Sequence, residues 1–311
     1  MRMVLNNEQA RQLIDVARVH AGLRENLREL KQAYRYAPRW RTISGREYLY
    51  LGETSQGARN SQTDAIFKTY SERRETLKSR VAALLARLDD MAPVNRALRL
   101  GRVPKLPARI LRALDAEGLL GRGLTVIGTH ALFAYEIAAG EFFQSELLAT
   151  ADLDLCWDAK SRLTILTDEG NAQSVLSILQ RVDRSFSAKT LYGIGAVNDE
   201  QFIVDLISTA EDLPEPATGL AGDISASPIP ETAALLAGKP FSAMAIGEDG
   251  LPVQIICPPP DAFIQHKRAI SAATSGRPAL QRHRDEAQAE AVATIAHVLN
   301  AAKDMYSEPG A

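Results

Sequence analysis

Two acids, Asp152 and Asp154, are the residues of this sequence best suited to chemistry. They alternate with leucines, and on a β-strand residues two apart share a face at a spacing of about 7 Å along the chain. Two carboxylates that close repel each other, which raises the pKa of one unless a cation lies between them. A hard divalent cation such as Mg²⁺ would relieve the repulsion and leave room for phosphate oxygens. The alternative is an edge strand whose acidic face lies in water.

Two features around this pair favour the metal interpretation. Residues 124–127 predict a strand that ends at Gly128 and Thr129, and such a turn before a helix can hold phosphate with backbone N–H groups. Downstream, residues 202–208 predict an apolar strand with one acid, Asp205, which is costly unless it is paired, metal-bound or facing water at a sheet edge. Three carboxylates and a Gly–hydroxyl turn suit two-metal phosphoryl or nucleotidyl transfer with Mg²⁺ or Mn²⁺.

Composition indicates a folded globular protein. The 311 residues are 46% hydrophobic and 24% charged, which allows a substantial core. No stretch approaches the roughly 20 uncharged apolar residues that cross a bilayer, and the first residues lack the apolar core of a signal peptide. The two cysteines, Cys156 and Cys257, are far apart, so neither a disulfide framework nor a zinc site is expected. We therefore expect a cytoplasmic protein without a membrane partner.

Hydrophobic periodicity predicts an α+β protein in three parts. They are a basic, mainly helical N-terminal region with a short β-hairpin, a core of mixed β-sheet flanked by helices, and a helical C-terminal region: residues 1–105, 106–258 and 259–311. The first boundary is placed in the Pro-rich, basic connection 93–107. The helices are predicted at 7–36, 63–89, 107–120, 130–139, 172–182, 261–272 and 279–303. The strands are predicted at 38–52 (the hairpin), 124–127, 152–157, 163–166, 191–197, 202–207 and 253–257.

Charge is unevenly distributed along the chain. Residues 1–120 hold 23 Lys and Arg against 13 Asp and Glu, a net charge of +10, and residues 121–311 hold 13 against 25, a net of −12. The basic part suggests a polyanion such as RNA as partner, or a solvated helical surface that docks on its acidic neighbour. The residues assigned to RNA are Arg73, Arg74, Lys78, Arg80, Trp40, Tyr48 and Tyr50.

An apolar stripe runs along the predicted helix 7–36. Its members recur at spacings of three and four, which places them on one face: Leu13, Val16, His20, Leu23, Leu27, Leu30 and Tyr34. Such a stripe buries against another helix of the same chain, against a second copy in a homodimer, or against another protein partner.

The turn, the acids and the C-terminal helices together resemble the DNA polymerase β-like nucleotidyltransferase superfamily. The closer likeness is to a bacterial nucleotidyltransferase family whose turn reads G-T-x-A, which here is Gly128-Thr129-His130-Ala131. That family ends in F-x-x-H-K and R-D-x-x-Q-A stretches, and the K…D pair also resembles abortive-infection-type nucleotidyltransferase toxins. Here those places are held by Phe263, His266, Lys267, Arg284, Asp285, Gln288 and Ala289. The likeness covers residues 107–300.

Two features depart from the superfamily pattern. Thr129 stands where Ser or Gly usually follows the first glycine, and residues 140–150 lengthen the gap between the turn and Asp152. An insertion can lengthen a helix or add a loop without moving the strand. It also fits the alternative of a non-catalytic nucleotide- or RNA-binding protein that retains the nucleotidyltransferase fold.

The resemblance implies a metal-dependent enzyme that transfers a nucleotide from a nucleoside triphosphate such as ATP to a hydroxyl of RNA (tRNA among them) or protein, as a toxin of this kind would. It implies that the catalytic and metal-binding residues are Asp152, Asp154 and Asp205. The nucleotide-binding residues would be Gly128, Thr129, Lys267 and Arg284, with supporting roles for His130, Glu136 and Asp285. We expect Arg284 and Asp285 to pair and to position the last helix against Lys267.

Overall fold

The computed structural model describes residues 3–158, 174–189, 194–209, 220, 222–273 and 277–302. It has a mixed β-sheet with flanking helices, so the α+β class predicted from the sequence is confirmed. The strand predicted at 163–166 and the first residues of the segments predicted at 172–182 and 191–197 lie outside the described residues.

The N-terminal part consists of two long helices and a small antiparallel sheet. Its elements are β1 (Met3–Val4), α1 (Asn7–Gln32), β2 (Pro38–Ile43), β3 (Arg46–Leu51), β4 (Thr54–Ala58) and α2 (Ser61–Ala97). The predicted hairpin is confirmed, because β2 and β3 pair across Ser44 and Gly45, which both have positive φ. Strand β4 was not predicted, because its sequence Thr-Ser-Gln-Gly-Ala has no apolar alternation.

Helix α2 continues past the point where the sequence predicted its end. It runs through Pro93 to Ala97, so the expected Pro-rich connection beginning at Pro93 was wrong. A proline removes one backbone hydrogen bond from a helix. The helix survives because one face of its last turns is buried through Met91, Ala92 and Asn95, and Asn95 donates to the backbone oxygen of Gly250 at 2.7 Å. The division of the chain at residue 105 stays a prediction.

The remaining described α-helices and strands alternate as far as α6, and six strands then precede the last two helices. They are α3 (Lys105–Ala116), β5 (Leu124–Val126), α4 (Leu132–Ala139), β6 (Glu141–Phe142), α5 (Ser145–Leu148), β7 (Asp152–Trp157), α6 (Val175–Val182), β8 (Ser187–Ala188), β9 (Ala196–Val197), β10 (Ile203–Ser208), β11 (Ser227–Pro228), β12 (Phe241–Ile246), β13 (Pro252–Cys257), α7 (Pro260–Ala272) and α8 (Ala279–Ala302). A short 3₁₀ turn, Gly128–Ala131, joins β5 to α4. Strand β12, which pairs with β13, was missed by the sequence analysis.

The central sheet has the strand order β5-β7-β10-β9-β8, with β11 beside the far end of β10. Strands β7 and β10 are parallel, whereas β5 and β9 run antiparallel to their neighbours. The apolar residues of β7 and β10, such as Leu153 and Leu206, are fully buried in the main core. The acids that alternate with them therefore lie on the opposite face.

Helices α1 and α2 pack against each other and against this core. Leu13, Val16 and Leu23 of the predicted stripe are buried in a cluster that also contains Phe142 and Ile246. His20 is buried as well, and desolvation by burial lowers its pKa to about 4. For these stripe residues, the structure shows the first of the three alternatives, packing against another helix of the same chain.

Most side chains assigned to RNA binding already have partners within the protein. Arg73 donates to Glu29 at 2.6 Å, Arg74 donates to backbone carbonyls, and Lys78 pairs with Glu75. The ring of Trp40 stacks on Phe67 and lies beneath Arg59, and Arg41 lies over Tyr50.

In the described part of the chain, no helix is both long and apolar enough to cross a membrane.

Arg102 links the connection after α2 to the core through a buried acid. It donates to both oxygens of Glu136, at 3.1 and 3.3 Å, and to the backbone oxygen of Phe143 at 2.8 Å. Glu136 is 1% exposed and also accepts from the Phe143 N–H, and burial raises its pKa. A carboxylate buried in this way is strongly destabilising unless a cation such as Arg102 is paired with it.

Replacing Arg102 by Met should therefore destabilise the protein, because Glu136 would stay buried without a countercharge. We expect the free energy of unfolding in urea to fall by about 3 kcal/mol. The exposed Arg87→Met of α2 is the matched control and should change it little. Adding Glu136→Gln to Arg102→Met should restore part of the loss; a double variant no more stable than Arg102→Met would contradict the explanation.

Candidate functional site

The three predicted acids meet on one face of the central sheet. Strands β7 and β10 pair in register with Asp205 opposite Asp154, and Asp152 lies two residues before Asp154. One carboxylate oxygen from each acid lies within 4.8 Å of those of the other two. All three side chains are partly exposed, and the Thr150 hydroxyl bonds to Asp152. The cluster can therefore hold a metal ion and remain open to a ligand.

The electrostatics of this cluster favour a bound cation. The pKa of Asp154 is raised to about 7, first by desolvation and then by the neighbouring charges of Asp152 and Asp205. The positive charges of Lys267 and Arg277 act in the opposite direction. The donors are all carboxylate oxygens, which suits Mg²⁺ or Mn²⁺ better than softer metals. The residues present thus fit the divalent cation expected from the sequence.

The turn after β5 is built around the Asp154 carboxylate. Gly128 has a φ of 64°, and a Cβ at this position would overlap the side chain of Asp154, so only glycine fits. The Ile127 N–H donates to the Asp154 backbone oxygen at 3.0 Å, which fixes the turn beside β7. Thr129 is buried, and its hydroxyl accepts a hydrogen bond from Gln288 at 3.2 Å. The turn therefore lies beside the acids, as the sequence analysis expected. The Thr129 hydroxyl is directed towards Gln288 of α8.

His130 is a buried, neutral residue next to this turn. It is 1% exposed, and its ring lies 5.8 Å from that of Phe133. Neither ring nitrogen has a hydrogen-bond partner among the described residues. Desolvation lowers its pKa to about 4, although the Asp152 charge opposes the shift. A supporting role for His130 stays a prediction, and its burial and lowered pKa make it a poor candidate for a general base.

A buried ion-pair cluster joins the two C-terminal helices close to the acids. Asp285, which is fully buried, accepts from Lys267 at 2.7 Å and from Arg277 at 2.5 Å. The expected pairing of Arg284 with Asp285 was wrong in its partner, since Arg284 instead donates to the backbone oxygen of Ala149 at 3.0 Å. Through Asp285, α8 does contact Lys267 of α7. Lys267 itself is buried, although the sequence analysis expected it to bind nucleotide.

Two cations near the acids were missed by the sequence analysis. Arg277 lies outside the family-like motifs, in the connection between α7 and α8. Lys189 follows the two-residue strand β8, and its Nζ lies 2.5 Å from Asp205 Oδ1. No local pattern marks either residue, because each reaches the acids only through the tertiary fold. Glu136, which was expected to support the site, forms its ion pair with Arg102 instead.

The fold and the acidic cluster place the chain among α+β proteins whose central sheet carries carboxylates able to bind a metal. A protein-family model described as nucleotidyltransferase matches residues 105–307, which include the sheet, the three acids and both C-terminal helices. The match covers more than half of the chain, and the chain therefore belongs to this nucleotidyltransferase family. No curated protein and no solved structure matches it. The bacterial and DNA polymerase β-like assignment stays a prediction.

The raised pKa of Asp154 predicts a stability cost for the metal-free protein. Because the folded-state value of about 7 lies above the unfolded value of 3.8, folding favours the protonated form, and stability falls as pH rises from about 4 to about 7. Replacing Asp154 by Asn removes this cost. We expect the variant to gain about 1–2 kcal/mol at pH 7.5 in EDTA and little at pH 4.

Thermal unfolding of the two proteins at several pH values measures this difference. Added Mg²⁺ should stabilise the native protein and not Asp154→Asn, because the variant lacks one ligand. The exposed Asp199→Asn serves as the charge-matched control and should show neither effect. A metal-free Asp154→Asn that unfolds at a lower temperature than the native protein at pH 7.5 would count against the repulsion argument.

Proposed function

We propose that this protein is a metal-dependent nucleotidyltransferase that transfers a nucleotide from a nucleoside triphosphate to a hydroxyl acceptor. The observation that carries the proposal is the convergence of Asp152, Asp154 and Asp205, with ligand oxygens within 4.8 Å of one another, inside the region matched to the nucleotidyltransferase family. Such a cluster suits phosphoryl transfer because it can hold a divalent cation. The cation counters the negative charge that accumulates on the phosphate during transfer.

Asp152 and Asp154 would hold the divalent cation together with Asp205, and all three would act in catalysis. When bound, Mg²⁺ or Mn²⁺ would polarise the phosphate and lower the pKa of the attacking hydroxyl. Asp205 lies on the second strand of the pair, so we assign it to the acceptor side, where its carboxylate helps to take the hydroxyl proton. Asp154, whose pKa is raised to about 7, would hold the cation in its ionised form.

The nucleotide phosphates would lie between the turn and the C-terminal helices. We assign backbone N–H contacts to Gly128 and Thr129 and keep Lys267 and Arg284 as nucleotide-side residues. Because Lys267 is buried, its charge would act on the phosphates without direct contact, whereas Arg277 is partly exposed and is the better candidate for direct contact. Arginine is well suited to this role, since its planar fork matches phosphate oxygens.

A transfer assay tests the proposal. The protein is incubated with each labelled nucleoside triphosphate, Mg²⁺ and total RNA, and label on RNA or on protein is measured. We expect transfer with at least one nucleotide and a loss of about 100-fold or more in Asp152→Ala, because a metal ligand is removed. Asp199→Asn should retain full activity. Absence of label transfer with every nucleotide, together with absence of metal-dependent nucleotide binding, would instead support the non-catalytic alternative.

RNA, tRNA included, is our proposed acceptor, and a toxin-like role would follow from modifying it. The support is the net charge of +10 over residues 1–120. Because several of the cations are already paired, we assign RNA contact chiefly to other exposed ones, such as Arg80. RNA affinity should fall steeply between about 50 and 200 mM salt. The measurement is a binding titration at each salt concentration, and a flat dependence would argue for a protein acceptor.

A further inference from the structure

Lys189 is the cation hydrogen-bonded to the acidic cluster within the described part of the chain. Its Nζ lies 2.5 Å from Asp205 Oδ1. Its backbone N–H donates to Gly195 O at 3.2 Å, so the β8–β9 edge fixes where the side chain starts. Gly195 is close to the same carboxylate, since a Cβ there would lie 3.3 Å from Asp205 Oδ1. Lys189 therefore approaches Asp205 from the β9 side, away from β7.

The other two cations near the cluster are held differently. Lys267 and Arg277 both pair with Asp285, and the side chain of Lys267 is only 6% exposed. The side chain of Lys189 is 29% exposed, and its described side-chain partner is Asp205 alone. Lysine also carries its charge on a flexible four-carbon stem. Lys189 can therefore leave its partner by a side-chain rotation, whereas Lys267 is confined by burial.

Charge balance gives Lys189 a role in the metal-free site. Three carboxylates within 4.8 Å repel one another, and Lys189 offsets one of these charges. A divalent cation that binds Asp205 enters the field of the ammonium group, and the two positive charges repel. Metal binding would thus weaken the Lys189–Asp205 pair. It would leave the ammonium group of Lys189 at the edge of the site proposed to bind the triphosphate of a nucleotide.

We propose that Lys189 is an exchangeable counterion of the site. It neutralises Asp205 when no divalent cation is bound, and it turns to a phosphate oxygen of the nucleotide when the cation takes over Asp205. The inference rests on the proposed metal-dependent function and adds to it a residue that couples metal binding to nucleotide binding.

Two affinities measured on Lys189→Met test the exchange. Mn²⁺ affinity without nucleotide is measured from the electron paramagnetic resonance signal of free Mn²⁺. The affinity for each nucleoside triphosphate, as its non-hydrolysable α,β-imido analogue, is measured by calorimetry at saturating Mn²⁺. We expect Mn²⁺ to bind about three- to tenfold more tightly and the best-binding analogue about three- to tenfold more weakly.

Two control variants separate this role from others. Lys189→Arg keeps the charge and should stay within about twofold of the native protein in both affinities. Lys239→Met removes an exposed lysine elsewhere and should change neither. Circular dichroism and thermal unfolding verify that each variant is folded.

The opposite signs of the two changes are the discriminating result. A lysine that merely orders the site would, when removed, weaken both affinities together, and that outcome would overturn the exchange. So would an unchanged Mn²⁺ affinity in Lys189→Met when the native protein binds Mn²⁺. If the native protein binds no Mn²⁺ at all, the proposed function fails and this inference fails with it.

Discussion

Mutual repulsion among three carboxylates is the constraint on which the rest of the site depends. The parallel pairing of β7 with β10 sets Asp205 opposite Asp154, and the two-residue period of the strand adds Asp152 to the same face. The leucines of β7 face the core, so its acids cannot turn inwards without losing that burial. Packing thus forces like charges together, and the protein must supply positive charge or protons to balance them.

The protein balances this charge from two sides with different rigidity. On the helical side, the buried Asp285 pairs with the buried Lys267 and the partly exposed Arg277, whose charges reach Asp154. On the sheet-edge side, Lys189 meets Asp205 from a short strand with a partly exposed side chain. Lys267, which is held by burial, provides a constant positive charge, whereas Lys189 can change partners. A site with both properties can bind a polyanionic ligand without being permanently neutralised.

Local patterns predicted the parts of the site that depend on local geometry. The strand with Asp152 and Asp154, the Gly128 turn and the strand with Asp205 follow from period-two alternation and glycine chemistry, and all three were found where expected. Lys189 could not be predicted, because its contact with Asp205 arises from a three-strand pairing. The passage of α2 through Pro93 was also missed, since tertiary burial outweighs the local penalty for proline. Similarly, β4 and β12 are specified by pairing partners rather than by their own sequence.

The side chain of Gln288 has a consequence for how the protein is made. It donates to the Thr129 hydroxyl, 159 residues earlier, at 3.2 Å, and to the backbone oxygen of Leu147 at 2.7 Å. One residue of α8 is thus hydrogen-bonded both to the glycine turn and to the inserted segment, residues 140–150, before β7. During synthesis on the ribosome, the turn and the inserted segment emerge long before Gln288 does. The surroundings of the acidic cluster are therefore completed only after α8 has been synthesised.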